Sequence, residues 1–266
     1  MFLMRSFLYI NIIILLISNP LTAKNNRQPK DYKKLVTLFT EWRNFENPPL
    51  MNGAPDYTRR RFNRAKQEFR SLQDRLEQID TTDWPIYHQV DWHIVRAEMN
   101  GYDFNQRVLR PWVRDPAFYQ TIWMYQSDVP AHEGPTNHGT LEFWTYDFPL
   151  DNESSNRLAA QLYMIPHFLF QAKGNLTGDA RDLWIAGIEN FKEQAENIEV
   201  IKNKIIKNHG KILDKVLKKP LKSAADANDD FIQWLSDKAP TKNGPSGIGK
   251  ENYSWYQKNV HLVPLT

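Results

Sequence analysis

Phe62, Ala65, Phe69, Leu72, Leu76 and Ile79 recur in alternating three- and four-residue steps through an otherwise highly charged stretch. That spacing lays them along one narrow seam of an α-helix, because strand side chains alternate faces every second residue. Other segments repeat the pattern. Leu35, Leu38, Phe39, Trp42 and Phe45 form a stripe that Asn47-Pro48-Pro49 ends. Asp83-Trp84-Pro85 opens a helix expected to reach about Arg107, with Ile86, Val90, Ile94 and Ala97 inward. Leu158, Leu162, Ile165 and Leu169 mark a further helix, bent at Pro166. The run from Trp184 through Phe191 and Ile198 to Ile205 predicts a long one entered near Thr177, and Asp229–Leu235 and Glu251–Val260 predict short ones. No alternating run of useful length predicts a strand, and there is no internal repeat. The expected fold is all-α, an irregular bundle of long amphipathic helices.

One stretch breaks the pattern. Residues 110–155 hold five prolines and nine aromatics without long periodicity, so a short helix over 116–125 and otherwise loop is expected. A long irregular segment is either functional or a cap over the core. Lys202 to Lys222 interleaves eight lysines with apolar residues. Such a basic amphipathic helix fits a membrane surface or an ordinary solvated face.

Composition removes several function classes. There is no cysteine, which excludes disulfide frameworks, thiolate metal sites and cysteine nucleophiles. The 11 glycines include no phosphate-loop pattern, since Gly244-Pro245-Ser246-Gly247-Ile248-Gly249 lacks the Lys-Ser/Thr ending. A net charge of +3 is too small to imply a nucleic-acid partner.

Met1–Ala23 begins with a cation, Arg5, continues with an apolar run from Phe7 through Ile17, and ends in small and polar residues. These features describe a secretory signal peptide cut after Ala23. The mature chain, 24–266, is then one exported helical domain, periplasmic or extracellular. The alternative is an uncleaved anchor, for which the run is short of the ~20 residues that span a bilayer. No other stretch is a membrane-span candidate.

Zinc helices place two histidines four residues apart with a glutamate beside the first. His132-Glu133 supplies the opening pair, but Thr136 stands at the second-ligand position, His138 lies beyond it, and Gly134-Pro135 disfavours a helix. His132 and Glu133 then either pin their loop or join His138 in a loop site. Asp226, Asn228, Asp230 and Asp237 fall on calcium-loop positions, but Phe231 replaces the required glycine, so a cap cluster for the helix from Asp229 is the better reading. Arg96, Glu98, Arg107, Arg110, Arg114 and Asp115 set charges beside aromatics. They suit ion pairs holding helix to loop, or a polar rim offering arginine to the carboxylate of a peptide-like ligand.

Six strings in order carry a family likeness. They are Val95-Arg96-Ala97-Glu98-Met99-Asn100-Gly101, Arg107-Val108-Leu109-Arg110-Pro111-Trp112, Arg114-Asp115-Pro116-Ala117-Phe118-Tyr119, Asp128-Val129-Pro130-Ala131-His132-Glu133-Gly134-Pro135, Asn175-Leu176-Thr177-Gly178 and Gly247-Ile248-Gly249-Lys250-Glu251-Asn252-Tyr253. From about Asp31 to Thr266 the chain resembles a branch of the bacterial domain-of-unknown-function 885 family. The resemblance implies a largely helical, exported protein related to helical zinc carboxypeptidases and oligopeptidases. Family members are longer and carry their zinc-type histidine-glutamate motif in a second half. The likeness therefore implies zinc for the full-length family and assigns no metal ligand, catalytic residue or cofactor here. It implies a missing C-terminal half as partner, and a chain inactive by itself. Arg96, Glu98, Arg110, His132, Glu133 and Tyr253 are the candidate cleft or loop-pinning residues. The expected role is to supply part of a substrate cleft; the alternative is a self-sufficient binding protein with an aromatic ligand loop.

Overall fold

The computed structural model describes residues 28–126, 137–209 and 216–263. The signal segment Met1–Ala23 and the pair His132-Glu133 lie outside the described residues. The described residues are 71% helical and 4% strand, so the all-α expectation holds.

Helices α1 (Tyr32–Glu46), α2 (Arg59–Glu77) and α3 (Ile86–Phe104) build a first core. The seam read from the sequence is its spine: Ala65, Phe69, Leu72 and Leu76 are buried along α2. Thr58 caps α2 by accepting from the Arg61 N–H, which satisfies one of the unpaired donors at a helix start. Opposite lie Leu35, Leu38 and Trp42 of α1 and Val95 and Met99 of α3. The expected inward face of α3 is corrected here. Ala97 is buried, but Ile86 is 80% exposed and Val90 and Ile94 about half-exposed. The contact face is set instead by Trp92, Val95, Met99 and Tyr102, which meet α1 and α2.

Between α1 and α2 sits a small antiparallel hairpin, β1 (Leu50–Met51) and β2 (Ala54–Pro55). Its two-residue loop, Asn52-Gly53, has positive φ at both positions. Such a turn matches the twist of paired strands and favours this dipeptide.

The second core is larger. Helices α5 (Asn152–Asn175), α6 (Arg181–His209) and α7 (Lys218–Lys238) pack around Leu162, Ile165, Phe168, Trp184, Phe191 and Phe231. Helix α5 runs through Pro166 without ending. Helix α6 starts at Arg181 rather than near Thr177. Two expectations fail in α7. Asp229 lies inside a 21-residue helix and caps nothing, and Asn228 is fully buried. The lysine-rich stretch belongs to the end of α6 and the start of α7, with 210–215 between them outside the described residues.

The proline- and aromatic-rich stretch is more ordered than expected. Asn105–Leu109 extends α3 as a π-helical turn, followed by α4 (Pro111–Arg114) and a 3₁₀ turn at Pro116–Tyr119. The predicted 116–125 helix stops at Tyr119 because Gln194 of α6 captures the next backbone groups. Its Oε1 accepts from the N–H of Thr121 (2.7 Å) and of Ile122 (3.0 Å). Ile122–Trp123 (β3) then pairs in parallel with Leu141–Glu142 (β4). Gln194 Nε2 donates to Asn228 Oδ1 and Asn228 Nδ2 to the Phe191 carbonyl, so this buried polar chain is satisfied along its length. Tyr119, Leu141, Phe143 and Tyr146 cap the second core.

Last comes α8 (Lys250–Asn259), which carries no fully buried residue. It docks on α3 by stacking Trp255 and Tyr256 against Phe104.

Candidate functional site

A cavity of about 620 Å³ opens at the junction of the two cores. Ligand sites favour such junctions, where two independently packed units leave a concave seam. The first core contributes Phe45 and Glu46 from the end of α1, Phe62 and Ala65 from α2, and Ala97, Glu98, Gly101 and Tyr102 from α3. Facing them are Tyr57, Trp112, Phe118 and His138. Tyr256 and Val260–Val263 close one side. Gly101 allows this closure: a Cβ there would come within 3.2 Å of Val260 Cγ1.

The walls are aromatic and interlocked. Phe62 stacks on Trp112 with centroids 4.3 Å apart, Tyr57 on Phe62 at 5.8 Å, and Phe45 and Phe69 against Tyr102 at 5.3 and 4.7 Å. Such contacts add stability beyond area burial and fix ring positions. Burial pushes the Tyr102 phenol up to about 12, so it stays neutral and available as a hydrogen-bonding group.

Among the polar residues of the lining, which also include Asp56, Arg61, Asn105 and Gln106, two groups are fixed by their partners. The first is Glu98. Its carboxylate accepts from Trp42 Nε1 (3.3 Å) and Arg43 Nη2 (2.7 Å), and Arg43 Nη1 pairs with Glu46 at 2.8 Å. Burial opposes the Arg43 charge, but the two carboxylates outweigh it and hold the guanidinium above its usual value. Arg43 lies behind the wall and compensates one of the two negative charges that Glu46 and Glu98 bring to the cavity.

The second is the Tyr57–His138 pair. Tyr57 Oη accepts from the His138 backbone N–H (3.1 Å) and lies 3.0 Å from His138 Nδ1. In this pair either Tyr57 Oη or His138 Nδ1 can donate, according to the imidazole tautomer. Burial lowers the His138 pKa, in keeping with a neutral ring. Tyr57 is fixed in turn by Gln171, whose Oε1 accepts from the Tyr57 N–H (2.8 Å) while its Nε2 donates to the Pro55 carbonyl (3.0 Å).

Comparison of the chain with family models, with curated proteins and with solved structures finds no match.

The structure scatters the candidate residues. Glu98 lies in the cavity wall. Arg96, two positions earlier, is outside the cavity lining and covers the Trp92 ring at 5.4 Å. Arg110 terminates the π-turn in the left-handed conformation, φ 44°, and lines a separate groove. Tyr253 is 57% exposed on α8 and outside the cavity lining. Arg107 pairs with Asp103 at 2.6 Å, and Arg114 donates to the carbonyls of Pro245 and Ser246, tying the 110 region to the 240–249 loop. Asp115 caps the 3₁₀ turn by accepting from Ala117 N–H, and burial raises its carboxyl pKa nonetheless.

Sequence reasoning missed Tyr57, Tyr102 and Phe45 as cavity residues. Only Tyr57 had a local signal, the Asn52-Gly53 turn, which predicts a hairpin returning the chain before residue 57.

No three histidine, aspartate or glutamate side chains converge among the described residues. Around the cavity, Glu46 and Glu98 are held by Arg43, Asp56 accepts from Thr58, and His138 Nδ1 is engaged by Tyr57. Among the described residues the cavity side chains therefore offer no ready ligand set for the zinc that the resemblance implies for the full-length family.

Proposed function

We propose that this chain holds a peptide-like ligand in the cavity between its two cores, as the substrate-side wall of a peptidase-like protein. The observation that carries this reading is the make-up of the cavity. It is walled by stacked aromatics and interrupted at fixed points by the Glu98–Arg43–Glu46 group and the neutral His138 imidazole. A pocket of drug-like volume with a few placed polar groups suits a ligand that alternates apolar side chains with amide donors and acceptors. A ligand N–H finds acceptors in the two carboxylates, and an aromatic or aliphatic side chain finds the Phe45, Phe62 and Trp112 rings. Within a longer peptidase-like protein, the hydrolytic groups come from outside these residues.

A second reading, a self-sufficient binding protein, draws support from the proline-rich stretch. Trp112, Phe118 and His138 all reach the cavity, while Tyr119, Phe143 and Tyr146 cap the core instead. Both readings predict binding; only the first predicts that added residues confer hydrolysis.

Equilibrium dialysis against a mixture of end-blocked tripeptides, read by mass spectrometry, tests the shared claim. Peptides with an aromatic residue should be enriched in the protein chamber. Ala97→Phe, which fills the cavity from α3, should abolish that enrichment. Ala97→Val, a smaller intrusion, should reduce it with the thermal midpoint near that of the parent. Equal distribution across the membrane for the parent chain overturns the reading.

A further inference from the structure

Behind the Phe62–Trp112 stack lies a second groove, of about 640 Å³, whose character differs from that of the cavity. One rail is a face of α2. Arg59, Asn63, Lys66, Arg70 and Gln73 fall at steps of four, three, four and three residues, a straight stripe. At 1.5 Å per residue that stripe is about 21 Å long. The other rail is the end of α3 and its π-turn, with Asp103, Gln106, Arg107 and Arg110. Aromatic rings form the floor between them.

Five cations therefore face one anion, Asp103, which already pairs with Arg107. Arg59, Lys66, Arg70 and Arg110 form no salt bridge among the described residues, although salt bridges are frequent elsewhere on α2, as between Arg61 and Glu68 and between Arg75 and Glu41. Concentrating like charge in a groove raises its potential and costs stability unless an anion fills it. The conformation at Arg110 has the same sense. A left-handed arginine is unfavourable, and this one lines the groove.

The polar groups between the cations narrow the ligand class. Asn63, Gln73 and Gln106 interleave amide side chains with the charges on both rails. Gln106 Oε1 is shielded from solvent and has no hydrogen-bond partner among the described residues. Gln106 also lines the neighbouring cavity, whereas Asn63 and Gln73 belong to this groove and not to the cavity lining. Carboxylates match the arginine forks, and main-chain amides match the glutamine and asparagine side chains.

We propose that this groove binds an extended acidic peptide segment, its Asp or Glu carboxylates on the α2 and Arg110 cations and its main chain on the interleaved amides. The groove shares Phe62, Tyr102, Gln106 and Trp112 with the neighbouring cavity, but the five cations that carry this proposal line the groove and not the cavity.

Fluorescence anisotropy with a labelled ten-residue peptide of alternating Glu and Gly tests it on the full chain. The expected result is saturable binding that weakens steeply with added salt, as exposed charge contacts do. A neutral Gln-Gly peptide should bind at least tenfold more weakly. The double variant K66E/R70E reverses two exposed charges and should lower affinity for the acidic peptide at least tenfold with an unchanged circular-dichroism melt. Gln73→Leu should weaken binding several-fold at constant salt dependence, because it removes a side-chain amide and no charge. Ala97→Phe should leave this binding intact, which separates failure here from failure of the cavity reading. Unchanged affinity in K66E/R70E overturns the proposal. So does equal displacement by a polyuronate or by single-stranded DNA of matched charge, since the groove would then read charge alone.

Discussion

At the scale of single residues, His138 is the titratable group whose environment says most. Its imidazole is half-buried, lies 3.0 Å from Tyr57 Oη through Nδ1 and has a pKa below the usual histidine value because of desolvation. Unfolded histidine titrates near 6.5. Above that pH the ring is neutral in both states and its contribution to stability is complete. As pH falls below it the unfolded chain takes up the proton first, so stability declines toward the lower folded pKa. Urea midpoints should therefore fall between pH 7.5 and 5.5, and more for the parent chain than for His138→Gln. Asp115 acts in the opposite sense, because its raised carboxyl pKa favours the folded state as acid is added. The difference between parent and variant cancels that contribution. An identical midpoint shift in the two proteins would remove His138 from the account. Glu98 shows how far sequence reaches at this scale. Its place beside Arg96 marked it as polar in an apolar setting, but its partners, Trp42 and Arg43, are more than fifty residues away and come only from helix packing.

Among the elements, α2 was the most legible and the 110–150 stretch the least. The α2 seam is local periodicity and needs no partner to be read. The 3₁₀ turn at Pro116–Tyr119 ends because Gln194, more than seventy residues on, accepts from two backbone N–H groups that a helix would have needed. No propensity at 116–125 encodes that. The same turn rests against α6 at Gly187, where an added Cβ would lie 2.6 Å from Pro116 Cβ. Neither backbone can yield easily, so Gly187→Ala should lower stability by about 1–3 kcal/mol despite the better helix propensity of alanine. Chemical denaturation measures this directly, and a stabilised variant would show that the two elements are less tightly joined. The α3 correction has a related cause. Ile86, Val90 and Ile94 form a valid apolar stripe, but the face that meets α1 and α2 is the one bearing Val95 and Met99.

At the scale of the molecule, two cores meet at a cavity and α8 closes its side. The second core holds the longest helices and most fully buried aromatics, whereas α8 is attached through the Phe104 stack and the Asn100 bond to Asn259. Local opening follows the density of buried contacts. Amide exchange should be slowest in α5–α7 and fastest in α8, and a ligand filling the cavity should slow α8 preferentially, because Tyr256 and Val260–Val263 are part of its wall. Uniform protection across α8 and α5 without ligand would contradict this picture. By itself the sequence determined the helical class, the positions of most helices and the exclusion of thiol chemistry, because those follow from spacing and composition within a few turns of chain. The tertiary structure alone decided where the cavity and the cationic groove lie. Each is assembled from helices separated by tens to hundreds of residues, and periodicity shows which face of a helix is apolar without showing which other face it will meet.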